Sequence, residues 1–117
     1  MAKRGDVVLV RFPFSSGAGS KVRPALVVQN DTNNQRLANT IIVMITSTVA
    51  RASVEATQVL VELRTPAGRR SGLLHDSAVK CENLFTIEQS LILRTIGSLP
   101  PETMSKVTDC LKASLDL

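Results

Sequence analysis

The chain has 117 residues and a net charge of +4, with 44% hydrophobic and 21% charged residues. We expect residues 1–117 to form a single domain, because this length allows one modest core. No apolar run has the length of a membrane span, and the first residues lack the apolar region of a signal peptide, which predicts a cytoplasmic protein.

The positive charge is concentrated in the first part of the chain. Residues 1–70 contain ten Lys and Arg against four Asp and Glu, whereas residues 71–117 contain four against six. A basic face indicates a large anionic partner such as nucleic acid, although +4 is also an ordinary solubility charge. Cys81 and Cys110 do not have the spacing of a metal site and are expected to be buried thiols. We expect no metal or cofactor.

Short β-branched and apolar segments follow one another along most of the chain. The predicted strands are 7–12, 24–29, 40–46, 57–63, 72–74, 77–82 and 92–96. Thr65-Pro66-Ala67-Gly68 between two of them has the composition of a turn. Many short strands separated by Gly, Pro and Asn predict a mainly β barrel or sandwich instead of a parallel sheet with helices.

One helix is predicted, over residues 101–114. Pro101 suits the first helical position and Glu102 the positive end of the helix. Met104, Val107 and Leu111 are spaced to form one apolar face. We therefore expect a small barrel with a C-terminal helix packed against it.

The segment around Arg23 is the most informative motif. Gly5-Asp6-Val7-Val8 is followed by a loop of small residues and then by Arg23-Pro24-Ala25-Leu26-Val27-Val28. Proline keeps the preceding residue extended, so Arg23 is presented at the start of a strand with its charge in solvent. This arrangement resembles the MazF/PemK family of toxin endoribonucleases.

Four later segments resemble the same family in the same order. They are Met44-Ile45-Thr46-Ser47, Ser71 to Val79 (Ser-Gly-Leu-Leu-His-Asp-Ser-Ala-Val), Lys80 to Ile87 (Lys-Cys-Glu-Asn-Leu-Phe-Thr-Ile) and Ile96 to Met104 (Ile-Gly-Ser-Leu-Pro-Pro-Glu-Thr-Met). The resemblance implies an SH3-like antiparallel β-barrel with a C-terminal α-helix, usually a two-fold dimer that binds RNA across both subunits. It implies the toxin of a type II toxin–antitoxin system, a sequence-specific and metal-independent endoribonuclease that acts on single-stranded RNA, and a cognate antitoxin as partner.

The resemblance places catalysis on Arg23 and Thr46. The Arg23 guanidinium is suited to stabilise the charge of the phosphorane. On chemical grounds Glu82 is the more natural proton acceptor, because a guanidinium rarely gives up a proton. Each of these three residues also has a purely structural interpretation. Arg23 could be an ordinary surface arginine, Thr46 a threonine that ends a strand, and Glu82 one half of an exposed ion pair with Lys80. The expected substrate-binding residues are Ser16, Ser20, Lys21, Ser47 and Lys80.

His75 is the one histidine of the chain, which excludes an intrachain histidine pair. We expect it to be a surface or structural residue near the site. Phe14 has the chemistry to stack on a base, whereas Phe12 and Phe85 are expected in the core.

The chain departs from the family pattern in two places. The first loop reads Ser16-Gly17-Ala18-Gly19-Ser20-Lys21 where many members have Gly-Ser-Glu-Gln, and Lys80-Cys81-Glu82 stands where plasmid-borne members have Arg-x-Asp. Two other functions stay open: a gyrase-poisoning toxin and an RNA-binding barrel without catalysis. The first is disfavoured because the chain lacks the Trp-Gly-Ile tail of such toxins.

Overall fold

The computed structural model describes residues 1–12 and 21–117, and these contain a mainly β fold with a long C-terminal helix. The strands and helices in chain order are β1 (Asp6–Phe12), β2 (Lys21–Val27), α1 (Asp31–Arg36), β3 (Asn39–Thr46), β4 (Gln58–Val61), α2 (Pro66–Ser71), β5 (Ser77–Glu88), β6 (Ile92–Ser98) and α3 (Pro101–Leu115), with a 3₁₀ turn at Gln89–Leu91 between β5 and β6.

The strands form one antiparallel sheet in the order β4-β5-β3-β2-β1-β6. The sheet is not closed, because β4 and β6 are its two edges. Strand β5 carries an irregularity: Val43 pairs with Leu84, but the next residue of β3, Met44, pairs with Lys80. Residues 81–83 therefore bulge between the two pairs, and such a bulge bends the sheet.

The two faces of the bent sheet bury separate clusters of apolar side chains. Alternation along β1 sends Val7 into one cluster and Val8 and Val10 into the other. Helix α3 packs on the first face through Val107 and Cys110. The predicted helix over 101–114 is confirmed within one residue at its C-terminal end.

Helix α2 lies where the sequence pattern predicted a turn, so that prediction was wrong. The Thr65 hydroxyl caps the helix by accepting the Gly68 N–H at 3.2 Å, and Pro66 occupies the first turn. Proline and glycine thus mark a capped helix here instead of a reversal of the chain. The strand predicted at residues 72–74 is also absent, and these residues form an irregular segment between α2 and β5.

The end of α2 packs backbone to backbone against β6. A Cβ atom on Gly97 would lie 2.3 Å from the Arg70 carbonyl oxygen, and one on Gly72 (φ +75°) would lie 2.0 Å from the Ile96 carbonyl oxygen. Only glycine allows this distance. We call this contact the α2–β6 seam and define it by Arg70 to Gly72 and Ile96 to Gly97. Because α2 follows the edge strand β4, the seam connects that side of the sheet to the opposite edge strand, β6.

Helix α1 was not predicted, and it is held by a buried polar network. The Asn34 amide donates to the Gln29 carbonyl oxygen at 3.0 Å, and its oxygen accepts from Gln29 at 2.9 Å and from the Thr40 hydroxyl at 2.7 Å. Buried polar groups are stable when each has a partner. The core role expected of two phenylalanines is confirmed, since Phe12 and Phe85 meet edge to face with ring centroids 5.8 Å apart.

Within the described residues, no helix combines the length and the hydropathy needed to cross a membrane.

Candidate active site

A cavity of about 330 Å³ opens where the ends of β2 and β3 and the middle of β6 meet the segment that follows α2. Its polar lining consists of Arg23, Thr46, Ser47, His75, Ser77 and Arg94. Apolar side chains from β1, β2, β3 and β6 form its floor, including Leu9, Pro24, Ile45 and Ile96. A rigid sheet thus positions polar groups that the sequence separates by up to 71 positions.

Arg23 lies near the start of β2, opposite Val10 of β1. Its side chain is exposed at the cavity, and within the described residues it makes neither a hydrogen bond nor an ion pair. The extended conformation before Pro24 holds the backbone in place. The guanidinium is therefore available for an anionic ligand.

Arg94 is a second cation in the same cavity, and the sequence pattern did not single it out. Leu9 of the intervening strand β1 pairs with Pro24 on one side and with Arg94 on the other. Two interstrand spacings place the Arg23 and Arg94 backbones roughly 10 Å apart. In the described part of the chain Arg94 also has no ion-pair or hydrogen-bond partner. Both arginines line the cavity, so Arg94 adds a second positive charge to that of Arg23.

Thr46 ends β3, and its hydroxyl oxygen accepts a hydrogen bond from the Thr48 N–H at 3.1 Å. This bond fixes the direction of the side chain and leaves the hydroxyl proton free to donate. Ser47 adds a second hydroxyl at the same strand end. The structure thus brings together three residues predicted for the site: Arg23, Thr46 and Ser47.

His75 forms part of the opposite wall, on the segment between α2 and β5. Its backbone carbonyl accepts from the Ser77 hydroxyl at 2.8 Å. The neighbouring Asp76 carboxylate accepts the Leu63 N–H at 2.8 Å and does not line the cavity. The expectation that His75 lies near the site is met, and its side chain is exposed at the cavity.

Glu82 and Lys80 do not line this cavity. Both belong to β5, where Lys80 lies opposite Met44 and Gln58, and the Glu82 carboxylate accepts from Gln58 Nε2 at 3.1 Å. Burial raises the pKa of Glu82, but hydrogen bonds from its own backbone amide and from Gln58 and Thr57 outweigh this effect and leave the pKa below its usual value. A carboxylate in this state is a weaker proton acceptor.

The other predicted binding residues have different outcomes. Lys21 begins β2 opposite Phe12 and is exposed, but it does not line the cavity. Ser16, Ser20 and the candidate stacking residue Phe14 lie outside the described residues.

The two cysteines are buried and free, as expected. Cys81 lies on β5 and Cys110 on α3, where its thiol contacts the Gln58 carbonyl oxygen at 3.6 Å. Burial raises the pKa of Cys81 to about 12 and also raises that of Cys110. Thiols in this state are structural instead of nucleophilic.

The chain is similar to known toxins over its full length. It is 32% identical to Endoribonuclease EndoA of Bacillus subtilis (strain 168) over 118 residues, which covers 100% of this chain and 97% of that protein. Among solved structures it matches the Mycobacterium tuberculosis toxin MazF-mt6 with a TM-score of 0.76 and 25% identity, over 96% of this chain and 97% of the toxin.

A mycobacterial endoribonuclease solved in complex with its cognate antitoxin has the same fold, with a TM-score of 0.80, 23% identity and coverage of 100% and 97% of the two chains. The family model described as PemK-like, MazF-like toxin of type II toxin–antitoxin system matches residues 3–115. The match covers nearly all of the sequence, and the Bacillus subtilis relative is 32% identical over the whole chain. This chain therefore belongs to the PemK-like, MazF-like family of toxins of type II toxin–antitoxin systems.

Proposed function

We propose that this toxin is an endoribonuclease that cuts single-stranded RNA at a short sequence and leaves a 2′,3′-cyclic phosphate and a 5′-hydroxyl. The relative from Bacillus subtilis is named an endoribonuclease, and the family is one of toxins. The observation that carries the proposal is that Arg23, which has no ion-pair partner within the described residues, and the Thr46 hydroxyl line the same open cavity.

Arg23 and Thr46 have complementary tasks in this reaction. Attack of the ribose 2′-oxygen on phosphorus creates a phosphorane with additional negative charge on its oxygens. The planar guanidinium donates two parallel hydrogen bonds to such oxygens, and the Thr46 hydroxyl donates a third. Arg94 supplies a further cation for the flanking phosphate. None of these roles requires a metal ion, so cleavage is expected to continue in EDTA.

The partners of the proposed enzyme follow from the same surface. The active-site cavity of a single chain has a volume of about 330 Å³, which accommodates one nucleotide and not a short sequence. A two-fold homodimer would align two such cavities for a longer RNA. The solved mycobacterial relative binds its cognate antitoxin, and here an acidic antitoxin segment would compete with RNA for the guanidinium groups. RNA and antitoxin as partners would make the cytoplasm the expected location of the toxin.

Purified toxin incubated with a long messenger RNA transcript in EDTA tests the proposal directly. Cleavage at a recurrent short sequence, with 5′-hydroxyl ends, is expected. If the protein binds the RNA but does not cut it, it is an RNA-binding protein without catalysis. If it neither binds nor cuts the RNA, a non-nucleolytic toxin such as a gyrase poison is favoured. Sedimentation at micromolar concentration tests the homodimer, which a stable monomer would contradict.

A further inference from the structure

The active-site cavity is rich in proton donors and poor in proton acceptors. The guanidinium groups of Arg23 and Arg94 only donate. The hydroxyl groups of Thr46, Ser47 and Ser77 can accept hydrogen bonds, but a neutral hydroxyl is too weak a base to take up a proton. No carboxylate is present among the described residues that line the cavity. Activation of a ribose 2′-hydroxyl, however, requires a group that accepts its proton.

Among the described residues that line the cavity, His75 is the one whose side chain has a nitrogen that can accept a proton. A neutral imidazole has one ring nitrogen that accepts a proton, whereas a guanidinium has no acceptor. Residues 13–20, outside the described part of the chain, do not supply an alternative, because their sequence contains only Pro, Phe, Ser, Gly and Ala. Glu82, the acceptor that chemistry alone suggested, is bound to Gln58 away from the cavity.

We propose that His75 is the general base of this toxin, a role that rests on the proposed ribonuclease function. An imidazole nitrogen takes the proton of the 2′-hydroxyl as the 2′-oxygen–phosphorus bond forms and the bond from phosphorus to the 5′-oxygen breaks. The leaving 5′-oxygen takes a proton from water, and the histidinium returns its proton to solvent. The reaction consumes no metal ion, oxidant or cofactor.

Two positive charges line the cavity together with His75, and the carboxylate of the next residue, Asp76, accepts the Leu63 N–H and does not line the cavity. The two arginines belong to β2 (Arg23) and β6 (Arg94), whereas β1 and β3 contribute the uncharged Leu9, Thr46 and Ser47 to the lining. The two guanidinium groups are suited to hold the phosphate while the imidazole acts on the sugar. This division explains how a chain with a single histidine can cleave RNA without the histidine pair of other ribonucleases.

The test compares His75→Gln with Glu82→Gln on a short RNA that contains one site mapped from the transcript digest. His75→Gln is expected to lower kcat/KM by roughly 10² to 10⁴. Its pH–rate profile should lose the acid limb, and Glu82→Gln should keep that limb. Added imidazole should restore cleavage by His75→Ala in proportion to its concentration.

Binding separates a catalytic role from a structural one. An RNA with a 2′-deoxy nucleotide at the cleaved position cannot react, and His75→Gln should bind it within about twofold of the wild type, with an unchanged melting temperature. The inference would be overturned, and the proposed function left standing, if His75→Gln cleaved RNA at the wild-type rate. The same holds if Glu82→Gln lost the acid limb of the pH–rate profile and His75→Gln kept it. Failure of the wild type to cleave any RNA would overturn the proposed function and the inference with it.

Discussion

Removal of the Arg23 side chain is the sharpest test of the active-site assignment. Within the described residues Arg23 makes neither a hydrogen bond nor an ion pair, and it is exposed at the cavity. Arg23→Ala should therefore leave the melting temperature unchanged within about 2 °C, because exposed residues without partners contribute little to stability. Any loss of activity would then come from the reaction itself.

The expected loss is large. A preorganised donor aimed at the phosphorane contributes about 2–4 kcal/mol, which corresponds to a roughly 30- to 900-fold decrease in the single-turnover cleavage rate. Arg23→Lys keeps the charge without the paired donors and should fall between alanine and the wild type. Arg36→Ala, which removes a guanidinium from α1 outside the cavity, is the matched control and should stay within twofold of the wild-type rate. Full cleavage by a folded Arg23→Ala protein would refute this reasoning.

Three further experiments test the Thr46 hydroxyl, the α2–β6 seam and the burial of the two cysteines. Thr46→Val should slow cleavage about tenfold and lower the free energy of unfolding by about 0.5–1.5 kcal/mol, because the Thr48 N–H loses its acceptor. Thr46→Ser should restore both the rate and the stability. A valine variant that cleaves at the wild-type rate would contradict the donor role of Thr46. Gly97→Ala should lower the melting temperature by about 5–15 °C in a calorimetric scan, because the added methyl meets the Arg70 carbonyl oxygen at 2.3 Å. A thiol reagent at pH 8 should modify neither cysteine until denaturant is added, since burial holds the pKa of Cys81 near 12; rapid reaction of the native protein would show that the core opens.

Most strands were predictable because they are short apolar, β-branched segments separated by Gly, Pro and Asn. The segment 40–46 emerges as Asn39–Thr46, and 92–96 as Ile92–Ser98. Strand β5 runs on to Glu88, well beyond the predicted end at residue 82, because the sequence signal is interrupted by the bulge opposite Val43 and Met44. Period-two alternation is lost wherever extra residues enter a strand.

The site was predictable only in part. Arg23 and Thr46 come from motifs that are continuous in sequence, and the structure places both at one cavity. Arg94 has no local signal, because its position depends on the pairing of β6 with β1, between segments more than 80 residues apart. Glu82 was chosen by its chemistry, yet its position depends on the bulge and on its hydrogen bond with Gln58.

The α2–β6 seam has a practical consequence for work with this toxin. The wall of the cavity that carries His75 begins directly after Gly72, whose backbone packs against Ile96 while Gly97 packs against Arg70, so close backbone contacts link this wall to the far edge of the sheet. Slight loosening there would displace the wall while the two apolar clusters stay packed. A cell that carries such a toxin could then grow when warm and be arrested when cooled, so this seam is where a heat-inactivated conditional allele should be sought.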